Sequence, residues 1–362
     1  MRKYISRLTS LFFCALMLSG LPLRVSAQTQ NYILRTVHEV RQLSNTEARN
    51  AYPVQLDGIA TYSDSEWGLL FLADSTGGIY VNTHGANSSF PAGSHLRVDA
   101  VTGPGDVGTV LVQPHIHVLG QGNMPAPEHR NIAELNALTA DSKFVETRGV
   151  LWACDQPPWK QRICFRISDE RTSALVVLPM SNTPVARKLV GATVKIRGVS
   201  GIHLDPKGRP LSALIFVNRL EDIEVEGGAS RDLNALAVVV HKDNPVNNLS
   251  TAELRDILMG RRHYWRGTQQ IAVLLPSGNK EREAVLRLVQ MDDSSYKNYW
   301  VEKTSGGAGV APVTVRSSGM ALSLVAETPG AIAVVPFADV RDSVKLLRID
   351  GHLPNDSIYS IH

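Results

Sequence analysis

Between Leu233 and Trp265 the chain reads LNALAVVVHKDNPVNNLSTAELRDILMGRRHYW, and this stretch leaves the backbone little choice. Ala235 to Val240 is a continuous apolar run ending in three β-branched valines, the pattern of a strand buried on both faces. Asp243-Asn244-Pro245 breaks it with turn chemistry. Ser250 then opens a helix, with Glu253 three residues on to complete a capping box and Leu249 and Leu254 placed as a hydrophobic staple. Leu254, Ile257 and Leu258 share one helical face. Gly260 follows where a left-handed residue ends a helix, and Arg261 and Arg262 sit at the negative end of its dipole.

This order of pieces resembles the phosphate-binding proteins of ABC transporters, in the periplasmic-binding-protein family. The likeness runs from VVVHKDNPVNNLSTAELRDILMG and the Trp265 that follows, through LLPSGNKEREAVLRLV and SSYKNYW, to VAETPGAIAVVP. It covers about residues 233–350. It implies one α/β lobe, with strands at Ala235–Val240, Ile271–Leu275, Ala331–Val335 and Val344–Ile349, and helices starting at Ser250, Asn279, Ser294 and Ser317. It also implies a site. In these relatives a Ser-Gly pair before a helix grips the anion, which carries over to Ser277 and Gly278; Asn279 stands where the relatives have Thr. Helix starts suit anions because the first amides are unpaired and the dipole is positive there. Ser317, Ser318 and Gly319 lead a second such helix, with Arg316 beside them as the candidate countercharge. Glu281 and Glu283 put negative charge into the first turn after Ser277, which stabilises a bare helix and opposes a bound phosphate.

The relatives place another ligand-gripping lobe before the crossing strand. Here that region shows an internal repeat instead. VQLDGIATY (54–62) matches VETRGVLWA (145–153), LLFLADSTGGIYV (69–81) matches CFRISDERTSALVV (164–177), and GSHLRVDAVTG (93–103) matches GATVKIRGVSG (191–201). Each copy has a short helical lead-in, VHEVRQLS and IAELNALT, and then short alternating strands between Gly- and Asp-rich turns. About five strands per copy suits a small closed barrel of the OB type. GIATYSDSEWGLLFLADSTGGIYV also looks like the OB-like modules of bacterial extracytoplasmic sensor proteins.

At the N-terminus, Arg2, Lys3 and Arg7 precede the apolar run Leu11–Leu18, and Val25-Ser26-Ala27 is a small-residue cleavage site. That is the anatomy of a secretion signal, too short for a membrane helix, and no other stretch spans a bilayer. The segment carries four of the 37 basic residues and none of the 34 acids, so 33 basic face 34 acidic residues once it is removed, a net charge of −1. A near-neutral chain gives no electrostatic case for nucleic acid. Tyr62, Trp67, Phe71 and Tyr80 lie among few Lys and Arg and read as core and rim packing rather than as a stacking platform.

The expected architecture is therefore multi-domain α+β, with two small OB-like β-barrels followed by one α/β periplasmic-binding-protein lobe. The limits are a signal peptide at 1–27, barrels at 28–120 and 132–226, linkers at 121–131 and 227–232, and the lobe at 233–362. Cys154 and Cys164 remain after cleavage, flanking DQPPWKQRI. An even, close pair in an oxidising compartment suggests a disulfide across a hairpin, with two free thiols as the alternative. His115 and His117 share one strand face, which is either a metal-ligand pair or a solvated face; no third ligand is evident in sequence. No GxSxG, HExxH or Walker loop is present, and Asp292-Asp293 reads as helix capping. No enzyme activity, metal or cofactor is called for. The expectation is a periplasmic or secreted binding protein for a phosphate-like oxyanion, or for a partner such as a sensor kinase or an ABC transporter. The alternative is a structural or protein-interaction scaffold whose lobe has lost its ligand.

Overall fold

Capping and strand alternation build the first described part of the chain, up to Gln121. The computed structural model describes residues 32–83, 89–154, 162–169, 172–179, 188–227, 235–307, 309–356, 358–359 and 361. The expected signal segment, the loop between the cysteines and most of the second linker lie outside the described residues. Helices α1 (Val37–Arg41) and α2 (Asn45–Ala48) are single turns, each held by a capping box, Thr36 with Glu39 and Ser44 with Glu47. Strands β1 (Pro53–Asp64), β2 (Leu69–Asp74), β3 (Gly77–Asn82), β4 (Ser94–Pro104) and β5 (Thr109–Gln121) follow. They close into a barrel in the order β1-β2-β3-β5-β4. Every pairing is antiparallel except β3 with β5. Leu56, Leu70, Leu72, Ile79, Leu96, Val98 and Leu111 alternate into its interior.

The second sheet has the same strand order. It comprises β6 (Glu128–His129), β7 (Phe144–Ala153), β8 (Arg162–Ser168), β9 (Ser173–Pro179), β10 (Thr193–Leu204), β11 (Pro210–Phe216) and β12 (Ile223–Gly227), with α3 (Ile132–Asn136) capped by Asn131 and Glu134. Strands β7-β8-β9-β11-β10 run in sequence and β10 pairs back onto β7. The one parallel pair inside this ring, β9 with β11, stands where β3 with β5 stands in the first barrel. Gly93 and Gly191 occupy matching turns, and both have positive φ, +92° and +79°. The stretch read as the first linker is partly ordered into sheets: β5 runs to Gln121, and Glu128 and His129 pair with β7. Cys154 and Cys164 are disulfide-bonded with a Cα–Cα distance of 5.6 Å. Ala153 opposes Phe165, so the two cysteines form the next cross-strand pair of the β7–β8 hairpin.

The C-terminal part contains β13 (Leu236–His241), β14 (Asn248–Leu249), α4 (Thr251–Leu258), β15 (Ala272–Pro276), α5 (Asn279–Val289), α6 (Asp293–Ser305), β16 (Val313–Val315), α7 (Ser318–Glu327), β17 (Ala331–Pro336), β18 (Val344–Leu346) and β19 (Arg348–Ile349). Its main sheet has the order β16-β15-β17-β13-β18. The buried run predicted from sequence is β13. Leu236, Val238 and Val240 enter the core beneath α4, α5 and α6, while Ala237 and Val239 enter the core beneath α7. The α4 capping box and the burial of Leu249 with Leu254 form as expected. One difference concerns residues 344–349, expected as a single strand. The chain bends at the buried Leu347: β18 pairs with β13, and β19 pairs with β14 in a separate small sheet. Ile33–His362 form one compact unit.

Candidate functional site

Strands β15 and β16 are parallel, and the chain leaves the ends of both for a helix start. Such carboxyl ends of parallel strands are where open α/β sheets present ligands. Pro276 is in register with Val315, so Ser277 and Arg316 leave the sheet side by side. The Ser277 amide donates to the Val315 carbonyl at 2.9 Å, and its hydroxyl donates to the Arg316 carbonyl at 2.8 Å. The two Ser-Gly helix starts, 41 residues apart in sequence, thus lie together at the ends of these two strands. Ser277, Asn279 and Arg316 are exposed, and Gly278 is half-buried. Gly278 is the N-cap of α5 and supplies no capping side chain. Ser317 caps α7, accepting from the Met320 amide at 3.2 Å.

Two residues at this edge matter that the Ser-Gly motif does not name. Glu281, third residue of α5, is only 6% exposed. Its carboxylate folds back over Gly278: a Cβ built there would have all three carboxylate heavy atoms within 2.8 Å. The Ser318 hydroxyl donates to Glu281 Oε1 at 2.6 Å. A carboxylate from the chain itself therefore lies at the α5 start and takes the α7 hydroxyl. The sequence signal was the acid in the first turn; its fold-back over Gly278 was not legible. The second residue is Arg341, from the segment between β17 and β18. Its Nη2 would be 3.4 Å from a Cβ on Gly319. Arg341, not only Arg316, therefore brings positive charge to the α7 start, and its distance in sequence hid it.

Asp292 caps α6 through the Ser295 amide and hydroxyl, which hold its carboxyl below the usual range, the amide first. Asp293 pairs with Lys297 at 2.7 Å and with Arg282. His115 and His117 share a face of β5, and Asp99 of β4 lies opposite, 3.9 Å from His117. Gln55 donates to that same Asp99 at 2.7 Å. Among the described residues, no group of three His, Cys, Asp or Glu side chains is placed to hold a metal. No described helix is long and apolar enough to cross a membrane.

No protein-family profile matches the chain. Solved structures similar to parts of it include a phosphate ABC transporter substrate-binding protein from Clostridium perfringens with bound phosphate. That likeness is 26% identical over 32% of this chain and 45% of that one, with a TM-score of 0.27. An ABC-type phosphate transport receptor from Vibrio cholerae is also 26% identical, over 33% and 48%, with a TM-score of 0.23. A murine DNA-binding protein bound to double-stranded DNA is 11% identical over 50% and 98%, with a TM-score of 0.27. The chain spans less than half the length of the two phosphate-transport structures it resembles.

Proposed function

We propose that this is a secreted, non-catalytic binding protein in which two OB-like barrels, related by duplication, carry a single lobe of the periplasmic-binding-protein type. In this reading the lobe engages a partner protein, such as a sensor or transporter component, and does not exchange free phosphate. The limits 28–120, 132–226 and 233–362 belong to the same proposal, as does removal of residues 1–27. The shared strand order of the two barrels supports the duplication. The observation that carries the functional reading is the Glu281 carboxylate over Gly278, holding the Ser318 hydroxyl. A bound anion would have to displace a buried carboxylate that already takes the Ser318 hydroxyl.

A second reading keeps the oxyanion. It is favoured by the convergence of Ser277, Gly278 and Asn279 with Arg316, Ser317, Ser318 and Gly319 at one edge, and by Arg341 beside them. Calorimetry with phosphate and sulfate on the wild type, Glu281→Ala and Ser277→Ala separates the two. The first reading expects no saturable heat from the wild type and weak phosphate binding in Glu281→Ala. Wild-type binding that Ser277→Ala weakens by roughly 1–2 kcal/mol establishes the oxyanion reading instead.

A further inference from the structure

The barrels meet along a seam that leaves a cavity. Where they touch, the contact is close and fixed. Arg41 donates to the Gly78 carbonyl at 3.2 Å and to both the carbonyl and the carboxylate of Asp141 at 3.2 Å. Phe216 of β11 packs on Phe71 of β2 with ring centroids 5.3 Å apart, and Tyr80 of β3 packs on Phe71 at 5.6 Å. Beside these rings lies a cavity of about 260 Å³. Leu69, Phe71 and Tyr80 form one wall, and Ile202, Leu204 and Phe216 form the other. A Cβ at Gly201 would lie 2.6 Å from Phe216 Cε2, so glycine there keeps the ring in its place.

The β4–β5 turn, Gly105 to Gly108, overhangs the opening and brings Asp106 to its rim. Arg41 and Asp141 neutralise each other at the other side. Asp106 is exposed and has no hydrogen bond or ion pair among the described residues. It faces Tyr80 closely enough to add to the effect of burial, which pushes that phenol up. The cavity thus has an apolar, aromatic body with polar groups of Arg41, Thr109, Asp141 and Ser142 beside it, is walled by both barrels, and has in Asp106 one carboxylate without an ion-pair partner among the described residues. Interfaces between modules that pair an apolar body with a few convergent polar groups are where small ligands bind.

We infer that this inter-barrel cavity binds a small organic cation, a single ring carrying a protonated amine. The ring lies among Phe71, Tyr80, Phe216 and Leu204, and the ammonium meets Asp106 at the rim, where the aromatic faces also favour positive charge. The size agrees: a dry cavity of about 150 Å³ already takes benzene, so this one has room for a ring and a short arm. The site lies in the barrels and is independent of the lobe's anion edge.

The test is calorimetry of the full chain with 2-phenylethylamine and with 3-phenylpropionate, which has a similar skeleton and the opposite charge. The expected result is saturable 1:1 binding of the amine, roughly tenfold or more tighter than the acid. Asp106→Asn, a change on an exposed turn, should weaken the amine by about three- to tenfold and erase most of that preference. Leu204→Trp, which fills the cavity, should abolish binding at an unchanged melting temperature. Absence of saturable binding at millimolar amine overturns the inference. So does equal affinity for amine and acid, or amine binding that neither substitution alters. If Leu204→Trp does not fold, Asp106→Asn alone decides.

Discussion

The chain has two internal seams, and they are built from different materials. Between the barrels, Arg162 of β8 grips Asp64 of β1 through two nitrogens, at 3.0 and 2.7 Å, with both side chains only 7% exposed. The same guanidinium reaches Glu66 at 2.8 Å and lies 4.8 Å over the Trp67 ring. Tyr62, Phe71 and Phe216 pack on one another in the same seam, and the Tyr62 hydroxyl donates to Asp64 at 3.4 Å. Between the second barrel and the lobe the contact is backbone and hydrocarbon. The Ala153 amide donates to the Val340 carbonyl at 3.0 Å, Trp152 joins the core beneath α7, and Gly191 abuts the tip of the Phe337 ring. An ion pair there, Arg166 with Asp342 at 3.1 Å, stays partly in water. The difference teaches where each seam is vulnerable. A desolvated ion pair is neutral while whole and costly when halved, because the remaining charge stays buried. A seam of packed surface loses stability in proportion to the space that is disturbed.

Arg162→Ala should have the largest effect. It leaves the buried Asp64 carboxylate without a countercharge, held by the Glu66 and Trp67 amides and the Tyr62 hydroxyl, and is expected to cost about 3 kcal/mol by denaturant unfolding. Asp64→Ala with Arg162→Ala together should recover part of that loss, and a double-mutant cycle measures the coupling. If Arg162→Ala costs less than about 1 kcal/mol, the charged seam is not the critical one. Gly191→Ala should come next, at about 1–3 kcal/mol. Its φ of +79° disfavours any side chain, and the new methyl would overlap the Phe337 ring. Phe337→Leu in the same background should relieve the clash but not the backbone strain, so a partial rescue of melting temperature is the expected readout. Arg166→Ala should matter least, about 0.5 kcal/mol and less at high salt, because both partners are partly hydrated. A loss several times larger would place a buried electrostatic lock in both seams and erase the contrast.

The same contrast describes what could be read from the residues. β13 and α4 were legible nearly residue by residue, because an apolar run, a turn, a capping box and a left-handed glycine are local signals. The disulfide was legible because an isolated cysteine pair in a chain expected to be secreted has few alternatives. The candidate anion edge was legible in its parts, Ser277 and Ser317. Its character was not, since Glu281 could have pointed to water, and only the α7 start packed against α5 gives it the Ser318 hydroxyl. Tyr62 and Phe71 were expected to pack within one barrel or at its rim. They join Phe216 in the seam between two, because a strand's outward face reads the same from sequence whether water or another module covers it.

The sequence by itself determined the elements: where strands run, where helices start, and which cysteines meet. These follow from φ preferences, side-chain period and short-range hydrogen bonding, which act over a few residues. Only the tertiary structure decided the partners: Asp64 with Arg162, 98 residues apart, Arg341 beside Gly319, and the cavity left between two barrels. Those depend on how finished surfaces fit one another. Fit is a property of shape and desolvation summed over many side chains, and no single stretch of sequence carries it.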